Sequence, residues 1–556
     1  MTISETLSRA INEALLTLEL PKVSFAVEHP SDISHGDYAT NVALIIGKNL
    51  GRNPKEVAEA IVSELNNKNI KEVLSFEVAG PGFINIRLSR QFFADSVKNI
   101  IEQKNDFGKN SIYAGKKILV EYTSPNLFKP LHIGNLMSNI VGESLSRLIE
   151  AGGAEVKRIN YPSDIGLTVA KGVWALRKNG GNPDDISALG KAYQEGNMAY
   201  ENDESAKKEI EAVNKALYED SDLELSELRK RGIETSKKHL NSLCEILGTV
   251  FDFEIFESQS SSVGKSIVES HIEDGIFEKS QGAIIFRGEK FGLHTRVFIN
   301  AMGLPTYEAK DIGLADLKRK LYDFDLSITT TAVEQLEYFK VLIKATEKVF
   351  PEMSEKIKHI PYGFLTLKSG KMSSRKGNVI TAESLIGDLK EKALEKMASQ
   401  DVSDKEETAL SVTVSAIKYS VLKQSTGKNV IFDEESSLSF HGDSGPYLQY
   451  TAVRARSVLN KASKFEISAL PSEVSFLERL LYRFGEVIKR AQGEYEPHYV
   501  ASFITEVAAA FNTYYSQTKI IEDSPESSYR LALTEATEIV IKNGLHVLGI
   551  SVPDKM

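Results

Sequence analysis

Apolar positions along the chain switch between two periods, and the switches mark out its elements. Ile3, Leu7, Ile11, Leu15 and Leu18 recur at helical spacing and predict an amphipathic opening helix. Phe76 to Val78 and Phe83 to Leu88 flank Gly80-Pro81-Gly82 and read as two strands closing a small domain. Ile118-Leu119-Val120 is a continuous apolar run, as a buried parallel strand shows. Pro125 and Pro130 bar regular structure after it. From Leu136 a helical period follows through Met137, Ile140, Val141, Leu145, Leu148 and Ile149. Gly152-Gly153 supplies its stop and Val156 to Tyr161 the next strand. That is a βαβ unit. Between Asn182 and His239 alternating Glu and Lys predict solvated helices inserted into the larger domain. Strands return at Ala283–Phe286, Val297–Asn300 and Leu326–Ile328. Beyond Leu385 the pattern is helical to the end, with a linker near Lys464 to Pro471.

Composition narrows the class. With 556 residues, 42% apolar and 26% charged, the chain suits a globular protein of several cores. The longest apolar runs, such as Val42 to Ile46, are far too short to cross a membrane. Residues 1 to 20 lack a basic stretch and a continuous apolar core, so no secretory signal is read there. One cysteine, Cys244, excludes an internal disulfide and a multi-cysteine zinc site; its neighbours Leu243 and Ile246 predict a buried thiol. A cytoplasmic protein with no membrane partner is expected. The net charge of −10 disfavours polyanions unless positive charge is gathered on one face. Candidate patches are Arg454, Arg456, Lys461 and Lys464, and Lys489 with Arg490. Tyr447, Tyr450 and Arg454 recur at helical spacing, offering either stacking surfaces beside a cation or core tyrosines with a solvated rim.

Two segments carry chemistry. His132-Ile133-Gly134-Asn135 lies at the first turn of the βαβ unit, where strand ends and helix N-termini receive phosphate. Lys371-Met372-Ser373-Ser374-Arg375-Lys376-Gly377 comes much later. If a carboxylate attacks the α-phosphate of ATP, charge grows on phosphate oxygens and on departing pyrophosphate. His132 and nearby amides can meet the α-phosphate, while Gly134 lets the nucleotide lie against the backbone. Lys371, Arg375 and Lys376 can close on the β- and γ-phosphates, with Gly370 and Gly377 as hinges. The attacking carboxylate is already ionised, so positioning and charge stabilisation do the catalysis. Taken singly, His132 reads as a helix cap and the basic stretch as a solvated loop; taken together they describe a nucleotide site.

The pair resembles the His-Ile-Gly-His and Lys-Met-Ser-Lys-Ser signatures of class I aminoacyl-tRNA synthetases, and the wider sequence resembles the arginyl-tRNA synthetases. The blocks that carry this are Gly36 to Ala43, Glu121 through Asn126 and Lys129 to Asn135, Gly303 to Gly313, Gly445 to Tyr450 with Arg454, and Lys542 to Met556. The resemblance implies an arginine–tRNA ligase that uses ATP with Mg2+, binds L-arginine and tRNA(Arg), holds no structural metal and acts as a monomer. It implies an α/β fold: a Rossmann-like parallel-sheet catalytic domain, a small N-terminal α/β (α+β) domain and an all-α C-terminal helical bundle. The expected boundaries are 1–110 for the N-terminal tRNA-contact domain, 111–385 for the catalytic domain with its insertion at about 182–239, 386–436 for a helical connector and 437–556 for the anticodon-binding domain. By the same resemblance Glu121, Asn126, Tyr307 and Asp311 bind arginine, with Gly303 to Gly313 as the pocket strand. His132, Asn135, Lys129 and Lys371 are catalytic. His132, Gly134, Asn135, Lys371, Ser373, Ser374 and Arg375 bind ATP, and Tyr447, Tyr450 and Arg454 bind tRNA. Two carboxylates suit a planar, permanently charged guanidinium fork; read alone, Glu121 is a strand-end charge and Asp311 a helix N-cap.

Three positions depart from the family pattern. Asn135 replaces the second histidine of the first signature and Ser374 the second lysine of the later one, leaving Lys371, Arg375, Lys376 or Lys129 to supply that charge. Thr329-Thr330-Thr331 falls where a pocket glutamine is expected, and Gln335 is offset from it. Three rivals weigh less. A small nucleotidyltransferase lacks the long helical C-terminus, a binding-only relative has no need of His132, Lys371, Glu121 and Asp311, and a lysine enzyme does not need two carboxylates.

Overall fold

The computed structural model describes residues 2–368, 380–398, 404–462 and 466–556. Lys371, Ser373, Ser374, Arg375 and the rest of their basic segment, as well as Lys464, lie outside the described residues. The chain divides into two units, one of residues 1–109, 450–489 and 503–544, the other of 110–449, 490–502 and 545–556.

The first 109 residues run α1 (Ile3–Thr17), β1 (Val27–Glu28), β2 (Tyr38–Thr40), α2 (Val42–Leu50), α3 (Pro54–Asn67), β3 (Val73–Ala79), β4 (Phe83–Leu88) and α4 (Arg90–Gln103). Thr2 and Glu5 close a capping box on α1, which satisfies two orphan amides at once, and Leu7, Ile11 and Leu15 turn inward. The strands form an antiparallel sheet ordered β1-β2-β4-β3. Asp37 earns its place in the Gly36–Ala43 block: its buried carboxylate accepts from Leu88 N at 2.8 Å and pairs with Arg479. Arg90 pairs with Glu478 at 2.7 Å, and the Tyr38 hydroxyl donates to Glu486 at 2.8 Å. These bonds fasten the N-terminal sheet to helical residues far along the chain but within the same unit.

The second unit continues with β5 (Lys117–Glu121), α5 (Ile133–Glu150), β6 (Glu155–Asn160), α6 (Leu167–Asn179), α7 (Ile186–Asn202), α8 (Glu204–Glu219), α9 (Leu223–Leu247), β7 (Phe253–Glu254) and α10 (Glu257–Ser270). Next come β8 (Glu278–Ser280), β9 (Ala283–Phe286), β10 (Arg296–Ile299), α11 (Tyr307–Leu321), β11 (Leu326–Ala332), α12 (Leu336–Val349), β12 (Ile357–Tyr362), β13 (Leu365–Leu367), α13 (Ala382–Lys396), α14 (Lys405–Leu422), β14 (Val430–Phe432) and α15 (Glu434–Ser437). A parallel sheet ordered β12-β11-β5-β6-β7 is the frame, and the predicted βαβ unit β5-α5-β6 sits in it. Helices α16 (Gly445–Leu459), α17 (Phe476–Leu481), α18 (Phe484–Glu494), α19 (His498–Gln517) and α20 (Ser527–Val547) complete the chain.

The strands predicted at 283–286 and 297–300 are present and form a separate antiparallel sheet, β10-β9-β8. Three expectations are corrected. The chain after residue 385 is not wholly helical, since β14 pairs with β13. The inserted helices are solvated on one face only. Leu189, Ala192, Ile210, Val213, Leu217 and Leu225 share a core with Val169, Val173 and Phe128, and the dense Glu/Lys pattern masked that stripe. Finally, the segment expected as a pocket strand is a tight turn followed by α11. Asn300 Oδ1 accepts from the amides of Met302 and Leu304, both at 3.0 Å, and Thr306 stands at the helix N-cap position. Asp311 is therefore inside α11 and caps nothing. Helices α10 and α11 cross backbone to backbone. A Cβ at Gly264 would lie 1.8 Å from the Ala309 carbonyl oxygen, and one at Gly313 2.1 Å from that of Ser260.

Candidate active site

The site is built at the carboxyl ends of β5 and β11, where open parallel sheets bind ligands. Between β5 and α5 the chain bends hard. Thr123, Ser124 and Phe128 have φ of 72°, 38° and 67°, conformations that cost about 1–3 kcal/mol each in residues with a side chain. Surrounding bonds hold them there. Thr123 N donates to Ser138 Oγ at 2.9 Å, Asn139 Nδ2 to Thr123 Oγ1 at 3.1 Å and Phe128 N to Ser236 Oγ at 3.2 Å. The fully buried Phe128 ring wedges between α6 and α9, where Gly172 and Gly232 leave room for it.

His132 caps α5. Its Nδ1 accepts from Gly134 N at 3.0 Å, so a neutral ring carries its proton on Nε2. Asn135 Oδ1 accepts from His132 N at 3.2 Å, closing a reciprocal box. Asn135 Nδ2 reaches the Thr123 carbonyl at 3.4 Å. Burial, with the charge of Lys129 behind it, lowers the His132 pKa to about 4. Burial likewise holds Lys129 below the ordinary lysine range, with its ammonium 5.9 Å over the Tyr193 ring. A Cβ at Gly134 would sit 2.8 Å from the His132 ring, so glycine is the residue that lets the imidazole lie against the helix start. Thr381 bridges to His132, and Ala382 N donates to the Leu131 carbonyl at 2.9 Å. The chain thus returns beside His132 four residues after Gly377, the end of the basic segment.

Glu121 and Asp311 meet at one cavity of about 40 Å³, lined also by Lys318, Ser327, Thr329 and the apolar Phe339 and Leu342. Glu121 is 6% exposed. Its Oε2 accepts from Thr329 Oγ1 at 3.2 Å and pairs with Lys318. Asp311 Oδ2 accepts from the Tyr338 hydroxyl at 2.5 Å. Burial pushes the Asp311 pKa up to about 8; Tyr338 and Lys318 pull against it, and the Glu121 and Glu257 charges add to it. Glu257 is itself paired with Lys310 at 2.6 Å. The triplet at 329–331 binds protein groups where a glutamine was expected. Thr330 Oγ1 lies 3.5 Å from the Glu121 carbonyl and Thr331 Oγ1 2.8 Å from His359 Nε2. Gln335 is exposed beyond β11.

Two expected pocket residues stand apart from this cavity. Tyr307 is 57% exposed, with the Lys310 ammonium 5.1 Å over its ring. Asn126 bridges to Ser163 and is half-buried. Thr329 lines the cavity from the triplet placed at the pocket, and the residues that reading the chain missed are Lys318 and Tyr338. Only Lys318 had a signal, being two helical turns from Asp311 and so on the same face.

Of the proposed RNA-binding residues, Tyr450 and Arg454 act together in the first unit. The Arg454 guanidinium donates to Asn512 Oδ1 at 2.5 Å and to the Tyr450 hydroxyl at 3.2 Å. It lies 4.7 Å over the Tyr450 ring and 5.3 Å over that of Tyr515. Tyr447, on the same helix, is half-buried in the second unit. Arg456 pairs with Glu538 at 2.8 Å, Lys489 with Glu5 and Arg490 with Glu494 at 3.1 Å. No helix of the described residues is long and apolar enough to cross a membrane.

Comparison with known proteins covers the chain end to end. Residues 96–434 match the family described as tRNA synthetases class I (R), catalytic domain. Residues 448–556 match the DALR anticodon binding domain and 1–88 the arginyl tRNA synthetase N terminal domain. The chain belongs to the arginyl-tRNA synthetase family. It is 31% identical to arginine–tRNA ligase of Borrelia hermsii, covering 100% of this chain and 99% of the relative. It is also 31% identical to arginine–tRNA ligase 2 of Bacillus anthracis, covering 95% of each. Among solved structures it superposes on Thermus thermophilus arginyl-tRNA synthetase with a TM-score of 0.82 at 24% identity, covering 100% of both chains. Mycobacterium tuberculosis methionyl-tRNA synthetase in complex with methionyl-adenylate shares the fold, with a TM-score of 0.51 at 12% identity over 79% of this chain and 92% of that one. In this arginyl-tRNA synthetase the catalytic match spans the parallel sheet, the inserted helices and both carboxylates of the cavity.

Proposed function

We infer that this protein joins arginine to tRNA(Arg) at the expense of ATP. The observation that carries the reading is the meeting of Glu121 and Asp311 at one cavity. A guanidinium presents a planar fork of donors and keeps its charge, so two converging carboxylates select it over a point-charged ammonium. Asn126 holds the amino-acid end of the substrate, and Tyr307, at the start of the helix that carries Asp311, binds it from outside the cavity. In the first step the arginine carboxylate attacks the α-phosphate of ATP, giving arginyl-adenylate and pyrophosphate. In the second, the terminal ribose hydroxyl of tRNA takes the arginyl group and AMP leaves.

Neutral His132 serves as a donor through Nε2 to the α-phosphate at the α5 N-terminus, and Gly134 lets the nucleotide lie against the backbone. Asn135 keeps that ring in place through the reciprocal cap. Lys129 and Lys371 supply charge to the departing pyrophosphate, with Ser373, Ser374 and Arg375 binding the outer phosphates. Magnesium travels on the ATP phosphates. Tyr450 and Arg454 form a stacked pair suited to an unpaired base, with Tyr447 on the same helix. The protein works as a monomer in the cytoplasm.

The test is exchange of labelled pyrophosphate into ATP, with arginine or lysine, in the presence and absence of tRNA. Exchange driven by arginine and not by lysine is expected. Exchange with neither amino acid, even when tRNA is added, would sink the reading. Lys371→Ala should depress turnover far more than arginine use, and Asp311→Ala the reverse.

A further inference from the structure

Glu121 does not face the cavity alone. Lys318 extends from α11 to pair with its Oε2, and the two side chains are 7% and 8% exposed. Ser327 Oγ lies 3.4 Å from the same ammonium. Thr329 takes Oε2 as well, and Oε1 accepts no hydrogen bond from the described residues. The carboxylate is thus clamped by one oxygen. The second buried cation nearby, Lys310, is committed to Glu257. The titratable groups around the cavity are Glu121, Asp311, Glu257, Lys310 and Lys318, with Tyr161 and Tyr338 from β6–α6 and α12. With every carboxylate ionised, three negative charges meet two positive ones. One negative charge is left for one guanidinium.

We propose that Lys318 is a positioning residue for arginine recognition: it fixes Glu121 by one oxygen, leaves the other for the substrate, and trims the cavity to a single net negative charge. The proposal rests on reading the Glu121–Asp311 cavity as the arginine site. A buried carboxylate stripped of its cation, beside a second carboxylate, gives up its charge by taking a proton. Removing Lys318 therefore leaves Glu121 without its buried cation and without the clamp on Oε2, and arginine loses a fixed half of its cradle.

The experiment uses the full chain with tRNA present and measures KM for arginine and for ATP separately by pyrophosphate exchange between pH 6.5 and 9. Lys318→Met should raise the arginine KM by about tenfold or more at pH 7, the scale of an uncompensated buried charge, and leave the ATP KM within about twofold. The rise should fall on the arginine KM and not the ATP KM across that pH range, which a merely structural defect would not do. Lys318→Arg should recover most of the loss. Lys318→Gln, which keeps a donor without charge and serves if the Met variant fails to fold, should fall between the two. An unchanged arginine KM in the Met and Gln variants overturns the proposal, as does an equal loss for arginine and ATP at every pH. A wild-type enzyme that ignores arginine overturns the reading of the cavity itself.

Discussion

Asp311 holds a proton at pH values where most carboxylates are ionised, because its pKa is pushed up to about 8. A guanidinium favours the ionised form, so arginine bound at the cavity as proposed should expel that proton below about pH 8. Arginine affinity should rise with pH up to that point and then level, and calorimetry in buffers of different ionisation heat should detect the proton. Asp311→Asn should weaken binding and flatten the profile. The same shift acts on folding in the opposite sense. The folded chain binds the proton more tightly than the unfolded one, so this contribution to stability is complete at low pH and is lost as pH rises through about 8. His132 titrates far lower, near 4, and should leave no inflection in turnover between pH 6 and 8. Its two roles separate by substitution. His132→Ala loses the cap, about 1 kcal/mol, together with the donor. His132→Asp keeps a good cap while setting a negative charge before the phosphates, so melting should barely move while exchange collapses. Glu121, Asp311 and His132 were legible because each sits in a motif with a chemical reason. Tyr338 was not, since nothing local links it to a helix 27 positions earlier.

Periodicity identified elements well wherever they were long. The β5-α5-β6 unit emerged from an apolar run, a 3.6-residue period and two glycines. It failed for short elements: β14 has three residues, too few to carry a period. It also failed where charge hid an apolar stripe, as in α7 to α9. The Gly303–Gly313 block was read as a strand through its likeness to a pocket segment, whereas Ala309, Ile312, Leu314 and Ala315 are buried in a helix. The insertion is coupled to the bend after β5 through Phe128. A Cβ at Gly232 would stand 2.2 Å from the Phe128 ring, so Gly232→Ala should cost about 1–3 kcal/mol by overpacking. The checkable outcome is a lower melting temperature with a reduced exchange rate, since the displaced ring belongs to the segment that ends at His132. Unaltered exchange would disconnect the insertion from the site.

For the whole chain, motif order suggested an order of domains, and the family matches fall at 1–88, 96–434 and 448–556. The partition into two units was not readable, because Asp37 and Arg479 are 442 residues apart and no sequence pattern spans such a distance. Nor was the fate of the basic residues. Arg456, Lys489 and Arg490 all have acidic partners, so three of the basic residues read as patches for a polyanion are already neutralised in a chain of net charge −10. Attraction to tRNA should then fall with salt less steeply than for a protein that neutralises many phosphates, since the slope scales with the number of phosphate contacts made. Raising salt from 50 to 200 mM should increase the tRNA KM by about tenfold or more. The arginine KM should hardly change, because a buried cavity is screened far less.

The crossing of α10 and α11 bears on how such a pocket can be inherited. Gly264 and Gly313 each press against a carbonyl of the other helix, so a single methyl at either position would tilt α11. Asp311 and Lys318 ride on that helix and would swing together away from Glu121. Descent can redraw the exposed face of α11, Tyr307 included, one residue at a time. At 264 and 313 only a hydrogen atom fits, so the distance of Asp311 and Lys318 from Glu121 is set at two positions that touch no charge.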